Sequence, residues 1–102
     1  MRVGFVQNNP VFANVLENLS RVEKLLAGQS ADLFVLPELF ATGYQFKDQE
    51  ESSSLAELVP TGITTSKLTA IAKKTNIFII AGLVETEGDQ VYNSAVVTGP
   101  EG

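Results

Sequence analysis

The 102-residue sequence contains no cysteine and no histidine. It therefore offers no thiolate nucleophile, no imidazole base and no set of ligands typical of a structural zinc site. Any chemistry within these residues must draw on carboxylates, amines or hydroxyls. Absence of cysteine also fits a reducing compartment. The first residues lack the basic start and long apolar core of a signal peptide, and no apolar run approaches the roughly 18 residues of a membrane span. The chain is accordingly read as cytoplasmic. Positive charge is scarce as well: seven basic against twelve acidic residues give a net charge of -5. That balance repels phosphate backbones and anionic membranes, so neither nucleic acid nor a membrane is expected as a partner.

What is present is an ordinary globular composition, 44% hydrophobic and 19% charged, with the length of one domain. Arg2 to Gln7 is a short apolar run closed by Asn8-Asn9-Pro10, and predicts a first strand. From about Asn14 the apolar positions Val15, Leu16, Leu19, Val22, Leu25 and Leu26 recur at helical spacing. Glu17, Asn18, Arg21 and Lys24 lie between them, and Gly28 supplies the stop. Asp32 to Leu36 predicts a second strand, ended by Pro37, which cannot donate to a ladder. A polar connection follows, with Ser54 as cap for a short helical turn over Leu55 to Leu58. Thr64, Thr65 or Ser66 would cap a second helix carrying Leu68, Ile71 and Ala72 inward and Lys73-Lys74 near its end. Ile77 to Val84 predicts a third strand, turned by Glu87-Gly88-Asp89 into a fourth over Val91 to Thr98. The order strand, helix, strand, helix, strand, strand argues for a mixed α/β sheet.

Ile77 to Val84 carries no polar residue on either alternating face, the pattern of a strand covered on both sides. Two helices in so small a domain cover both faces poorly, so a second protein layer is expected. It would lie over a sheet face to which Phe5, Phe34, Phe78 and Ile80 contribute. Gly99-Pro100-Glu101-Gly102 reads as a turn leading to a further strand. Residues 1–102 are thus expected to be the amino-terminal part of one larger domain.

Phosphate-binding signatures are absent, since the glycines never form GxGxxG and no Gly-Lys-Ser or Gly-Lys-Thr occurs. Asp48, Glu50 and Glu51 lack calcium-loop spacing and read as a solvated loop. The remaining candidate is Glu38. It follows a buried-looking strand and Pro37, at the carboxyl end where open α/β sheets build their sites. On position alone, a surface carboxylate is the plainer interpretation. Apolar neighbours Leu36, Pro37, Leu39 and Phe40 would instead desolvate it and raise its pKa toward a value useful for proton transfer.

The stretch Asp32 to Tyr44, DLFVLPELFATGY, resembles the first catalytic motif of the nitrilase superfamily, the carbon-nitrogen hydrolases. Further similarity lies in the strand ending at Gln7 with Pro10 beyond it, in Pro60-Thr61-Gly62, in IIAGLVE at Ile79 to Glu85 and in VYNSAVVTGPEG from Val91 to Gly102. The resemblance implies the amino-terminal portion of an α-β-β-α sandwich, a mixed β-sheet with helices on one face. It also implies a Glu, Lys and Cys mechanism through a covalent thioester, with no cofactor. Glu38 matches the family's general base. None of Lys24, Lys47, Lys67, Lys73 and Lys74 matches the family lysine, so the lysine and the cysteine are expected beyond Gly102.

The substrate class implied is a small amide, nitrile or carbamoyl compound, with a slight lean toward amidase-like branches. Tyr44 is carried over as a residue lining the acyl pocket, with a packed tyrosine as the alternative; Phe40 tilts toward core and Asn93 toward a structural amide. The family's subunits commonly pair through helices, which makes a homo-oligomer the expectation for the complete protein, with Ala13, Ala27, Leu68 and Ala70 as candidate contacts. Two other functions stay open. One is a truncated, non-catalytic binding or assembly piece; the other is an unrelated α/β binding module with Glu38 merely exposed.

Overall fold

The computed structural model describes residues 1–7, 10, 12, 14–37, 41–42, 55–59 and 61–102. Its elements are β1 (Val3–Phe5), α1 (Val15–Leu26), β2 (Leu33–Val35), α2 (Ile63–Thr75), β3 (Phe78–Glu87) and β4 (Gln90–Thr98). They form one four-stranded sheet in the order β1-β2-β3-β4. β1, β2 and β3 run parallel, and β4 returns antiparallel to β3. The mixed α/β sheet expected from the element order is therefore present.

Turn chemistry explains the boundaries. Gly28 adopts φ +76 directly after α1, the left-handed geometry that glycine tolerates without penalty. Asn76 ends α2 at φ 60 and ψ 42, and its amide donates to the Ala72 carbonyl. Gly88, at φ +58, supplies the positive angle needed at the first residue of the two-residue loop between Glu87 and Gln90.

Register sorts the side chains between two faces. Gly4, Phe34, Ile79 and Thr98 are partners across the sheet and share one face, continued along β3 and β4 by Ala81, Leu83 and Val96. Leu19, Val22 and Leu26 of α1 and Leu68, Ile71 and Ala72 of α2 join Phe34, Ile79, Ala81 and Leu83 in one buried cluster. Both helices thus cover the same face, as two right-handed crossovers between successive neighbouring strands require. Each fully buried Leu or Val there contributes about 1.5–3 kcal/mol relative to exposure.

The opposite face carries Val3, Phe5, Leu33, Val35, Phe78, Ile80 and Val97, and no element among the described residues packs on it. Phe5 is 78% exposed, Phe78 51% and Val97 66%. The expectation of an uncovered apolar face holds for Phe5, Phe78 and, partly, Ile80, and is corrected for Phe34. Phe34 is buried on the helix side because its ring lies over its register partner Gly4.

Three other expectations change. Of the helical turn expected over Leu55 to Leu58 only Leu55 is helical; Glu57 instead makes a parallel bridge to Glu85. Thr64, Thr65 and Ser66 do not cap α2: the N-cap is Gly62, and Thr64 and Thr65 are buried inside the helix. Asn18, assigned to the polar side of α1, is fully buried, whereas Leu16 and Leu25 are exposed. Position 18 lies one helical turn from both Val15 and Val22, so it belongs to the stripe that faces the sheet.

Candidate active site at the carboxyl end of β2

Pairing continues slightly past the short strands β1 and β2. The Val6 amide donates to the Val35 carbonyl at 2.9 Å, and the Leu36 amide to Ile80 at 2.8 Å. Pro37 then removes the next donor. β3 runs on for seven residues beyond Ile80, and the edge that Leu36 meets is also met by Glu57. There the Glu57 amide donates to Val84 at 2.9 Å, and the Thr86 amide donates to the Glu57 carbonyl at 2.8 Å. Among the described residues, Leu36 and Glu57 therefore meet the same edge of β3.

Glu38 and Tyr44, the two site residues expected from the sequence, fall between these points and lie outside the described residues, as do Leu39, Phe40, Gly43 and Lys47. On the near side, two shallow hollows open on the apolar face around the end of β2. One, of about 330 Å³, is lined by Leu36, Ile80, Ala81, Gly82, Asn93, Ser94 and Ala95. Its floor is low because Gly82 and Ala95 are register partners with almost no side chain between them. The other, about 260 Å³, is lined by Phe5, Val6, Gln7, Val35, Leu36 and Pro37 and is nearly all apolar. The structure thus brings Leu36, just past β2, and Asn93 to one hollow, although they lie 57 positions apart in sequence.

Ser94 faces the other way. Its hydroxyl donates to the Glu85 carboxylate at 2.7 Å on the helix side of the sheet. On the far side of the motif, Ala41 and Thr42 are buried, and the Ala41 carbonyl accepts from the Asn18 side-chain amide at 2.8 Å. Spacing along the apolar stripe of α1 could have identified Asn18; no sequence signal pointed to Ala41 as its acceptor.

The Lys67 ammonium pairs with Glu23 at 3.0 Å, joining α2 to α1, and Lys73 and Lys74 occupy the last turn of α2. Among the described residues, no group of three acidic side chains is placed to hold a metal ion, and no helix is long and apolar enough to cross a membrane.

Comparison with known proteins places this geometry in a family. The carbon-nitrogen hydrolase family model matches residues 2–102. The chain is 46% identical over 105 residues to a nitrilase of Pyrococcus abyssi, a match covering all of this chain and 40% of that protein. To the omega-amidase NIT2 of Danio rerio it is 38% identical over 93 residues, covering 84% of this chain and 31% of the relative. Among solved structures, an N-terminal amidase superposes with a TM-score of 0.88 at 26% identity, over 98% of this chain and a quarter of that one. Residues 1–102 thus span about two-fifths or less of these relatives. Matched along nearly its whole length by the family model and by curated relatives, the chain belongs to the carbon-nitrogen hydrolase family.

Proposed function

We propose that this chain forms the amino-terminal part of an amidase-like carbon-nitrogen hydrolase in which Glu38 is the general base. The observation that carries this reading is the exit of β2. Leu36 donates its amide to β3 and lines both hollows, Pro37 lines one of them and has no amide proton to donate, and Glu38 is the next residue. Loops at the carboxyl ends of parallel strands are where open α/β sheets assemble their chemistry.

In this scheme the Glu38 carboxylate takes the proton of a cysteine thiol as the sulfur attacks the carbonyl or nitrile carbon of a small amide, nitrile or carbamoyl compound. For an amide, a lysine ammonium and a backbone amide hold the tetrahedral oxyanion. Its collapse breaks the C–N bond, and Glu38 returns the proton to the departing amine. Water, deprotonated by the same carboxylate, then attacks the thioester; the acid leaves and the thiol is restored. The chain has no cysteine, and none of its lysines matches the family motif, so the resemblance implies that both partners of Glu38 come from residues outside these 102. No step calls for a cofactor. Tyr44 lines the acyl side of the pocket. Assembly of the complete protein through its helices draws on Ala27 and Ala70, which are exposed; Leu68 is withdrawn from that surface because it is fully buried within this chain, and Ala13 lies outside the described residues.

The deciding experiment is Glu38→Gln in the intact polypeptide that carries residues 1–102. The amide keeps the shape of the carboxylate but accepts no thiol proton, and turnover should fall about 10²-fold or more with folding intact. Near-normal ammonia release from this variant would assign the base to another residue.

The exposed apolar face supports a second reading, a non-catalytic piece that assembles with another chain. Intact-mass measurement of the natural protein separates the two: a product of 102 residues favours assembly, and a product more than twice that long favours the hydrolase.

A further inference from the structure

Asn18 has no side-chain exposure, yet it occupies the core stripe of α1 beside Leu19 and Val22. A primary amide at such a position costs stability unless it is hydrogen-bonded, and an aliphatic residue would fill the same space without that requirement. Its bond to Ala41 caps no helix and closes no ladder. Its Nδ2 donates to the Ala41 carbonyl at 2.8 Å, across 23 residues of chain, and Ala41 and Thr42 are themselves buried. On the other side of the motif, Leu36 is tied to Ile80 by its amide. Only Pro37 to Phe40 separate these two anchored points, and the proposed base is the second of those four residues.

We infer that Asn18 is a positioning residue: its amide fixes the backbone at Ala41 and so sets where the short span bearing Glu38 can place its carboxylate. The inference rests on the proposed role of Glu38. A base must lie within hydrogen-bond reach of the proton it takes, and misplacement by about 1 Å costs on the order of 10²-fold in rate. Substrate affinity is set by other parts of the pocket and should be far less sensitive to Asn18.

The test is Asn18→Leu in the intact polypeptide, a near-isosteric change that removes the donor. The folded variant should lose fivefold or more in kcat while KM stays within threefold. A smaller loss in kcat, or a change carried mainly by KM, would overturn the inference. Should Asn18→Leu fail to fold, Asn18→Ala is read by the same criteria; failure of both to fold would make Asn18 a core residue only and overturn the inference too. Glu38→Gln measured alongside separates the two claims. An inactive Glu38→Gln with a fully active Asn18→Leu removes the positioning role alone, whereas an active Glu38→Gln removes the base and with it the basis of the inference.

Discussion

The carboxylate of Glu57 accepts both hydrogen bonds that Thr64 can donate, from the amide at 2.6 Å and from the hydroxyl at 2.5 Å. A residue six positions before the first residue of α2 thereby does the work usually done by an N-cap side chain, and places negative charge where the helix dipole favours it. The same residue bridges Glu85 through its backbone, so one glutamate ties the returning chain both to the edge of β3 and to the start of α2.

Replacing Glu57 by Ala should therefore destabilise the intact protein by about 1–2 kcal/mol, the cost of losing a strong helix cap. Glu57→Gln keeps an acceptor oxygen and should lose less. Chemical denaturation of the two variants checks the order; equal stability of Glu57→Ala and the parent would show that Thr64 finds other partners.

At Gly4 the constraint is close approach: a β-carbon built there would stand 2.5 Å from Cε1 of Phe34. Gly4→Ala should cost about 1–3 kcal/mol as the ring is driven off its place in the core. Much of that loss should return in Gly4→Ala with Phe34→Leu, and a double-mutant cycle reads the coupling directly. Strict additivity of the two changes would contradict the contact.

Leu68 lies on α2 at the centre of the buried cluster, fully enclosed. Truncation to Ala should destabilise the intact protein by about 2–5 kcal/mol, with the thermal midpoint as readout. The exposed Leu16 provides the control, since Leu16→Ala should change stability by no more than about 0.5 kcal/mol.

Residues 1–102 expressed alone should hydrolyse no amide, because a lone carboxylate offers only general-base assistance to water. They should also bind dyes that report exposed apolar surface and should self-associate in sedimentation. Phe5→Ser with Phe78→Ser should weaken both effects, given where these rings lie. A soluble monomer without dye binding would show that the face needs no cover.

Element order, the strand-like runs and the helical stripe were legible because they depend on local periodicity: β3 needs a run of apolar residues and α1 a turn-spaced one, wherever the rest of the chain goes. Pro37 likewise ends pairing by its own covalent structure, and the motif around Glu38 was readable as a string of residue types. The absence of cysteine and histidine also limited by itself what chemistry these residues can perform. Which face each side chain meets was not determined in this way. Phe34 and Phe78 look alike in sequence; register puts one over Gly4 beneath the helices and leaves the other on the open face. Asn18 meets Ala41, and Glu57 takes Thr64, through folding of distant or looping segments that no period encodes. Local pattern selects the elements, because backbone geometry repeats. The partners of a buried amide or a capping carboxylate are chosen by tertiary packing, because a polar group removed from water takes whichever acceptor or donor the fold brings within reach.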